Sequence, residues 1–397
     1  MKILVLNSGS SSVKFQIFEM DTCVSIVSGL IEQIGEENSS VSLKLLNGEE
    51  IKTSQKISTH AEGLSIATSM LIEQKVISSL DELDGIGHRV VHGGSYFSKA
   101  TLVDEDVIEK ITKLIPLAPL HNPAHLDGIN VALKLSPKVP NVTVFDTAFH
   151  QSIPNFAYMY ALPYKFYEED GVRKYGFHGT SHKYVAAQAA KLLNKELSEL
   201  NAITLHLGNG GSVTAIEKGK SIDTSMGLTP LEGLIMGTRS GDLDPAILFY
   251  LAREKKFDIN TLDRILNKES GLKGICGAND MRQIHKMNEE GDEKAQLALE
   301  MFYYRLKKYI GSYSAILGQV DCIVFTGGIG ENDDIARANS CKNLENLGIK
   351  LDLAKNSIRS KEARLISTED SKVKVFVIPT NEELEIAIQT KEVVENL

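Results

Sequence analysis

The sequence lacks the cysteine spacing that marks a disulfide framework or a zinc ribbon. Its cysteines, Cys23, Cys276, Cys322 and Cys341, are scattered along the chain without a CxxC pair. Such usage is typical of proteins that stay in a reducing compartment. We therefore expect a cytoplasmic location.

Long apolar runs are also missing. The run at residues 3–6 is too short for the apolar region of a signal peptide. The most apolar long window, residues 309–325, is interrupted by Gln319 and Asp321, whereas a bilayer span needs about 20 predominantly apolar residues. The sequence predicts neither a signal peptide nor a membrane span.

An excess of basic residues is absent as well. The formal net charge is −9 at pH 7, and the isoelectric point is about 5.7. Surfaces that bind nucleic acids or anionic membranes are basic, so neither partner is expected. An anionic ligand must instead meet a local cluster of Arg, Lys and backbone N–H groups. The 397 residues, 42% of them hydrophobic, are enough for two domains.

The common nucleotide signatures do not occur. The chain contains no GxxxxGK[ST], no GxGxxG after a predicted strand, and no HRD or DFG motif. Histidines spaced by four occur at 88/92, 121/125 and 178/182, but none of these pairs is predicted to share one helix face, and HExxH is absent. Zinc is therefore not predicted, and a nucleotide site must use another kind of loop.

What the sequence does contain is a repeated strand–turn–strand segment. Residues 2–19 place a turn of Asn, Gly and Ser between two apolar strands, and residues 203–217 repeat this order around an Asn-Gly-Gly-Ser bend. Turns of this kind can direct several backbone N–H groups toward one phosphate. The repeat predicts a duplicated α/β fold with a phosphate-facing loop in each half and a boundary near residue 150.

Hydrophobic periodicity gives the order of elements. In the first half it predicts strands near residues 24–30, 41–46, 85–91 and 142–145, a helix within residues 60–80, and a helix from Pro123 with Asn122 as its N-cap. In the second half it predicts strands at 203–207, 213–216, 221–224, 322–325 and 373–378, a mostly helical insertion reaching about residue 290, a long helix from about residue 292, a glycine-rich turn at 326–332, and a closing helix at 381–395.

Four charged residues lie at positions typical of ligand sites. Arg89 and Arg239 are close to glycines at strand or loop ends, where a guanidinium can bind a carboxylate or phosphate through paired N–H groups. Asp146 follows a predicted strand, and Glu382 follows Pro379. Each acid can be read as a Mg²⁺ ligand or as a helix-capping residue, and the residues alone leave both interpretations open.

A set of motifs then points to one family. The motifs are NSGSSSVKF (7–15), HRVVHGG (88–94), FDTAFH (145–150), YGFHGTSH (175–182), HLGNGGS (206–212), MGTRSGDLDP (236–245), FTGGIGEN (325–332) and PTNEE (379–383). Their order resembles the acetokinase family from end to end. The resemblance implies duplicated ribonuclease H-like domains of the acetate and sugar kinase, heat-shock chaperone and actin superfamily, with a helical insertion in the second domain.

The resemblance also implies an organisation and a reaction. The first domain would comprise residues 1–149, with residues 381–397 packed back on it, and the second residues 150–380. ATP would bind in the cleft between the domains of a homodimer. The reaction would be reversible, Mg²⁺-dependent transfer of the γ-phosphoryl group of ATP to acetate, giving acetyl phosphate and ADP, with Mn²⁺ as the alternative metal.

The family's functional positions fall on named residues of this chain. The resemblance implies Asn7 and Glu382 as metal ligands and Asp146, His178 and Arg239 as catalytic residues. It implies Arg89 as the acetate-carboxylate ligand and Val91, Leu120, Phe177 and Pro230 around the acetate methyl group. It implies ATP contacts from Ser10, Ser12, Lys14, His206, Leu207, Gly208, Asn209, Gly210, Asp280, Met281, Arg282, Gly328, Ile329, Gly330, Glu331 and Asn332.

Two alternatives remain at this point. A propionate kinase of the same fold would share these motifs. An actin-like or chaperone-like ATPase switch would explain two phosphate loops but would leave Arg89, His178 and Arg239 without a role. The chain also departs from the family pattern at Lys273 and Cys276, where an apolar residue and a serine are expected, so the preference for the nucleotide base stays open.

Overall fold

The computed structural model describes residues 1–119 and 121–397. The strands are β1 (Lys2–Ser8), β2 (Val13–Glu19), β3 (Val24–Glu32), β4 (Ser40–Leu45), β5 (Glu50–Ser54), β6 (Gly85–Val90), β7 (Thr101–Leu102), β8 (Asn141–Phe145), β9 (Ala202–Leu207), β10 (Gly211–Glu217), β11 (Lys220–Thr224), β12 (Cys322–Thr326), β13 (Arg364–Leu365) and β14 (Lys374–Val377).

The α-helices are α1 (His60–Glu73), α2 (Glu105–Lys113), α3 (Asn122–Leu135), α4 (Asn155–Tyr158), α5 (Lys165–Asp170), α6 (Gly179–Leu192), α7 (Ala246–Lys255), α8 (Ile259–Arg264), α9 (Gly271–Cys276), α10 (Met281–Glu289), α11 (Glu293–Leu317), α12 (Gly327–Asn332), α13 (Asp334–Cys341), α14 (Leu353–Ser357) and α15 (Glu382–Val394). Short 3₁₀ segments lie at Leu80–Glu82, Ile115–Leu117, Ala148–Ser152, Leu197–Glu199 and Glu345–Leu347, and a π-helical turn at Ile265–Glu269 follows α8.

The chain divides into two compact units. Unit 1 comprises Met1–Phe149 and Asn381–Leu397, and unit 2 comprises His150–Thr380. Unit 1 contains a sheet with the strand order β5-β4-β3-β2-β1-β6-β8-β7, and unit 2 contains a sheet with the order β11-β10-β9-β12-β14-β13. Each unit is thus built on one mixed sheet.

The two sheets share a central topology. In unit 1, β1 pairs antiparallel with β2 and parallel with β6, which in turn pairs parallel with β8. In unit 2, β9 pairs antiparallel with β10 and parallel with β12, which pairs parallel with β14. This correspondence confirms the duplicated α/β fold that the repeated segment predicts. The helical insertion, α7 to α10, lies between β11 and β12 of unit 2.

Helices cover both faces of β1, the strand near the middle of the unit 1 sheet, because β1 is apolar on both faces. Leu4 and Leu6 belong to the core formed with α1 and α3, whereas Ile3 and Val5 belong to the core formed with α15. A strand buried on both sides reads as a continuous apolar run rather than an alternation, as residues 3–6 do. The first residues of α15 are thereby brought into unit 1.

In unit 2, the long helix α11 supplies one side of the core. Its stripe of Leu299, Phe302, Leu306 and Ile310 has the spacing of one helix face and joins residues of β9, β10 and β12 in a single apolar cluster. Helix α6 packs against β9 and β12. Among the helices of residues 1–119 and 121–397, none combines the length and apolarity needed to cross a bilayer.

Three local predictions differ from the structure. Helix α3 begins at Asn122 with His121 as its N-cap, because the Asn122 side chain is used elsewhere: it accepts from the His92 N–H at 3.3 Å and donates to the His92 carbonyl at 3.1 Å. The segment after β12 is the short helix α12 rather than an open turn. Helix α1 also ends at Glu73, before the predicted limit at residue 80.

Candidate active site

In unit 1, the hairpin of β1 and β2 carries the predicted metal and phosphate residues. Asn7, near the end of β1, is the cross-strand partner of Lys14. The turn between them is tightened by a hydrogen bond from the Gly9 N–H to the Ser12 carbonyl at 2.7 Å. Ser10, at the tip, is exposed. Asn7, Ser10, Ser12 and Lys14 therefore lie on one hairpin with a short, hydrogen-bonded turn.

Arg89, on β6 beside β1, is fixed by Asp146. Its Nε donates to Asp146 Oδ1 at 3.1 Å and its Nη2 to Oδ2 at 2.6 Å, which is the paired geometry of a strong ion pair. Asp146 is buried, and its own N–H donates to the Val90 carbonyl at 3.0 Å. Burial opposes the charge of Arg89, but the carboxylates of Asp146 and Glu382 raise its pKa. Arg89 is an oriented cation, with Nη1 3.5 Å from Asn7 Oδ1.

Glu382, the first residue of α15, lies near the charges of Arg89 and Asp146. Burial, assisted by the carboxylates of Asp146 and Glu383, raises its pKa to about 7, while the positive charges of Arg89 and Lys14 act in the opposite direction. An ionised Glu382 therefore lacks enough compensating positive charge. A cation bound beside this carboxylate would stabilise its ionised form.

The oxygen atoms of this group fit a hard divalent cation. Asn7 offers an amide oxygen and Glu382 a carboxylate, the ligand types that Mg²⁺ prefers. Within residues 1–119 and 121–397, no three His, Cys, Asp or Glu side chains are grouped as a metal site. A cation of this type commonly uses one or two protein oxygens together with substrate phosphates and water, so the small donor set agrees with it.

The residues predicted around the acetate methyl group occur in both units. Val91, just after β6, is buried in unit 1. In unit 2, Phe177 is buried and Pro230 is half-buried. The carbonyl of Pro230 accepts from Arg239 Nη1 at 3.3 Å, so it lies beside a predicted catalytic side chain. Leu120 lies outside the described residues.

The predicted phosphate loop of unit 2, residues 206–210, forms the bend between β9 and β10. The Gly208 N–H donates to the Gly210 carbonyl at 2.9 Å. Asn209 accepts at its carbonyl from the Gly237 N–H at 3.0 Å and at Oδ1 from Asn279 Nδ2 at 3.2 Å. A Cβ on Gly237 would lie 2.1 Å from Asn209 Oδ1, so a larger residue there would displace the Asn209 side chain. The loop is held from two sides.

His178 and Arg239 meet at this loop. A Cβ built on Gly210 would lie 3.1 Å from Arg239 Nη1 and 3.9 Å from His178 Nε2. The His178 ring stacks on His206 with centroids 4.2 Å apart. Burial lowers the pKa of Arg239, and within the described part of the chain no carboxylate forms an ion pair with it. Arg239 therefore places beside the loop a guanidinium whose charge a bound anion would neutralise.

The glycine-rich segment of α12 is stabilised by its own polar side chains. Glu331 Oε1 accepts from the Gly327 N–H at 3.0 Å and from the Thr380 N–H at 3.2 Å. Arg337, which is buried, donates from Nη1 to the Gly330 carbonyl at 2.9 Å. The remaining predicted nucleotide residues of this segment are Gly328, Ile329 and Asn332. Glu331 thus contributes to the shape of the segment.

The other predicted nucleotide residues begin α10. Asp280 accepts from the Arg282 N–H at 2.9 Å and pairs with its guanidinium at 3.0 and 2.6 Å. These hydrogen bonds lower the pKa of Asp280 to about 2. Met281 between them is buried. His285 Nε2 lies 2.8 Å from Asp333 Oδ2, which connects α10 to the residue after α12. The predicted adenosine residues therefore belong to one region of unit 2.

The connection between α10 and α12 gives a pH-dependent prediction. The hydrogen bond that His285 donates to Asp333 raises the pKa of His285, although burial opposes this. The folded state therefore binds this proton more tightly than the unfolded state. Its stabilisation is complete below the unfolded pKa of about 6.5 and is lost as pH rises through the raised folded pKa.

We expect the melting temperature of the wild type to exceed that of His285→Gln most at about pH 5.5, and the difference to shrink toward about pH 8.5. Thermal unfolding of both proteins across this range measures it. A difference that is independent of pH would contradict the charged His285–Asp333 pair.

Sequence reasoning missed several residues of this region. Gly237 and Asn279 hold Asn209, and Arg337 holds the Gly330 carbonyl. Gly237 lies within the motif at residues 236–245 and Asn279 precedes Asp280, but a contact to Asn209 across the unit has no local signal. Arg337 sits on α13 with no neighbouring motif.

The chain is similar to known proteins along nearly its whole length. The model of the acetokinase family matches residues 2–388. A protein of Campylobacter lari named acetate kinase is 57% identical over the full length of both chains. The crystal structure of Porphyromonas gingivalis acetate kinase superposes with a TM-score of 0.95 and 44% identity, covering 99% of each chain.

A propionate kinase from Francisella tularensis is also similar, with a TM-score of 0.92 and 47% identity over 98% of this chain and 99% of its own. The family match spans nearly the whole sequence. The Campylobacter lari protein is 57% identical over its full length, which is enough to assign the chain to the same family. The chain therefore belongs to the acetokinase family.

Proposed function

We propose that this protein transfers the γ-phosphoryl group of ATP reversibly to acetate, forming acetyl phosphate and ADP by direct in-line transfer. The observation that carries the proposal is the convergence of His178 Nε2 and Arg239 Nη1 on Gly210 of the phosphate loop. Phosphoryl transfer needs positioning and neutralisation of charge on the equatorial oxygens more than covalent chemistry by the protein. Two N–H-bearing side chains at a phosphate loop supply both.

Arg89 is the proposed ligand of the acetate carboxylate. Asp146 holds the guanidinium through two hydrogen bonds, which fixes the direction of the remaining N–H groups. Acetate is already ionised at neutral pH, so the reaction needs no strong general base. Asp146 therefore acts as the residue that orients Arg89, rather than as a proton acceptor.

His178 and Arg239 are the proposed partners of the transferring group. As negative charge develops on the equatorial oxygens, donors that are already in place stabilise it without reorganisation. The backbone of residues 208–210 belongs to the same loop and is held by Asn209. In this proposal, Arg239 supplies the charge and His178 supplies a directed N–H.

Asn7 and Glu382 are the proposed ligands of a divalent cation, Mg²⁺ with Mn²⁺ as the alternative. When bound, such an ion neutralises phosphate charge and orients the phosphate oxygens. The raised pKa of Glu382 supports the assignment, because this carboxylate has a deficit of positive charge in the protein alone. Lys14, across the hairpin from Asn7, is proposed to bind the nucleotide phosphates.

The nucleotide is proposed to lie along the phosphate loop, α10 and α12. Ser10 and Ser12 of the first turn and His206 to Gly210 would bind phosphates, while Asp280 to Arg282 and Gly328 to Asn332 would bind the adenosine and ribose. The Arg282 side chain is 90% exposed beside Asp280, which leaves it available to contact the adenine base of the nucleotide. Cys276 is buried and donates to the Leu272 carbonyl, so it serves the packing of α9.

Acetate is the proposed acid, with propionate as the alternative that the similar Francisella protein raises. Val91, Phe177, Pro230 and Leu120 are the proposed enclosure of the methyl group. One extra methylene changes binding by only about 1–3 kcal/mol, so the enzyme is expected to accept propionate more weakly rather than to exclude it.

The test is formation of acyl phosphate, trapped with hydroxylamine, from Mg·ATP with acetate, propionate and butyrate in parallel. We expect the highest kcat/KM with acetate. A propionate optimum would keep the reaction and change the acid. Hydrolysis of ATP without any acyl phosphate would contradict the proposal and favour an ATPase switch.

A homodimer in the cytoplasm is proposed as the functional form. No side chain of helix α7 in unit 2 is fully buried, and Ile247, Phe249 and Tyr250 are between 44 and 63% exposed. Apolar groups gathered on one short helix are typical of a protein interface. The molar mass in solution, measured by light scattering, tests this assembly.

A further inference from the structure

One histidine pair with a spacing of four converges on a single hydroxyl group. His178 is the N-cap of α6, and His182 lies in its first turn. His178 Nδ1 lies 2.9 Å from Ser212 Oγ, and His182 Nε2 lies 2.8 Å from the same oxygen. On its other side, His182 Nδ1 lies 2.7 Å from Thr204 Oγ1. The four side chains form a continuous hydrogen-bonded row.

The row has a restricted set of proton arrangements. Thr204, His182 and Ser212 are completely buried. Burial, together with the neighbouring His150 and His206, lowers the pKa of His182 well below its usual value. His182 is therefore neutral, with one ring nitrogen that donates and one that accepts. The Ser212 hydroxyl has a single proton, so it can donate to only one of its two histidines.

Two arrangements that meet these conditions run in one direction along the whole row. In the outward polarity, Thr204 donates to His182 Nδ1, His182 Nε2–H donates to Ser212, and Ser212 donates to His178 Nδ1. The inward polarity reverses every bond and requires a proton on His178 Nδ1. A neutral His178 then carries its N–H at Nε2 in the outward polarity and a bare lone pair at Nε2 in the inward one. In a third arrangement, both histidines donate to Ser212, which places the proton of a neutral His178 on Nδ1, as the inward polarity does.

The position of Nε2 decides between them. This atom faces the phosphate loop at Gly210, beside Arg239 Nη1. Phosphate oxygens only accept hydrogen bonds, so a lone pair at Nε2 would repel them, whereas an N–H would bind them. Resting on the proposed phosphoryl transfer, we propose that Thr204, His182 and Ser212 are positioning residues that hold His178 as the Nε2–H tautomer.

The backbone conformation of His178 is unusual, as expected for a residue whose ring is held in one position. Its φ of 57° and ψ of 23° lie in the left-handed region, which is uncommon for a residue with a side chain. Such conformations persist where surrounding contacts impose them, and they cluster at functional sites. The stack on His206 fixes the plane of the ring. The bond to Ser212 then fixes which nitrogen carries the proton.

The kinetic test removes the hydroxyl of Ser212. Ser212→Ala should lower kcat by about tenfold or more, as for other residues that orient a functional histidine, with KM for ATP and acetate within about threefold. Ser212→Thr, which keeps a hydroxyl, should recover most of the lost kcat. Thr204→Val, at the far end of the row, should lower kcat less than Ser212→Ala.

Thr214→Val is the matched control. Thr214 lies on the same strand, is equally buried, and shares its hydroxyl with Thr224 at 2.9 Å outside the row. Its kcat should stay within about twofold of the wild type, a span worth about 0.4 kcal/mol. The proposal is overturned if Ser212→Ala keeps the wild-type kcat or if Thr214→Val loses as much.

The tautomer itself is measured by long-range ¹H–¹⁵N spectra of wild-type protein labelled on histidine, with His178→Gln to assign the signal among the 10 histidines. We expect a protonated Nε2 and an unprotonated Nδ1 in His178. A proton on Nδ1 would overturn the proposal. This measurement needs no turnover: if no acid yields acyl phosphate, the proposed function fails, while the spectrum still decides the polarity of the row, even if Ser212→Ala does not fold.

Discussion

Arg239→Ala is expected to lower kcat by roughly 100-fold or more, because removing one donor to the charge that develops in the transition state costs about 3 kcal/mol. Arg239 Nη1 lies beside Gly210 of the phosphate loop. Its hydrogen-bond acceptors are the Pro230 carbonyl at 3.3 Å and Met236 Sδ at 3.7 Å, which leave its charge unneutralised. Steady-state kinetics with saturating ATP and acetate measure the effect.

Two variants separate charge from geometry. Arg239→Lys keeps the charge but loses the planar pair of donors, so it should retain part of the activity. Arg264→Ala removes a surface arginine of α8, paired with Glu269, and should leave kcat unchanged. A wild-type kcat in Arg239→Ala would remove this residue from the mechanism.

Arg89→Ala is expected to raise the KM for acetate by about 100-fold and to change the KM for ATP by less than about threefold. Each hydrogen bond between charged groups contributes about 1.5–3 kcal/mol, and a guanidinium can offer two to a carboxylate. Initial rates over a wide acetate range, at saturating ATP, give the result. A change in the KM for ATP alone would refute the carboxylate assignment.

The Arg89 variant needs a stability control. Asp146 is buried, and removal of its partner leaves an unpaired charge, which typically destabilises by about 3–5 kcal/mol. The double variant Arg89→Met with Asp146→Asn removes both charges. We expect it to recover much of the lost stability but none of the affinity for acetate. If it restored the acetate KM, unfolding rather than lost binding would explain the single variant.

The sequence predicted the central strands and the long helices because their signals are local. Residues 3–6 form a continuous apolar run, and α11 has an apolar stripe that starts after the N-cap Asp292. The short strands β5, β7 and β13 were missed, since two-residue and half-exposed strands carry little periodicity. The cap of α3 was misplaced because Asn122 bonds His92, which is distant in sequence.

In the candidate site too, the residues have local sequence signals, but their contacts depend on residues distant in sequence. Motif spacing indicated Arg89 and Asp146 separately, but only the pairing of β6 with β8 in one sheet brings the guanidinium onto the carboxylate. The histidine pair at 178 and 182 was interpreted as not sharing one face. In the structure both rings reach Ser212, because the helix begins between them and Ser212 lies across the sheet on β10.

By itself, the sequence determined the duplicated fold and the family, and it predicted which residues bind phosphate and carboxylate. The fold follows from apolar periodicity and the repeated segment, whereas the family and the proposed site residues follow from the resemblance of the motifs to the acetokinase family. Tertiary structure decided what those residues are bonded to: the orientation of Arg89 by Asp146, the raised pKa of Glu382, and the row from Thr204 to His178. Hydrogen bonding and burial depend on neighbours dozens of residues away, so only the folded chain specifies them.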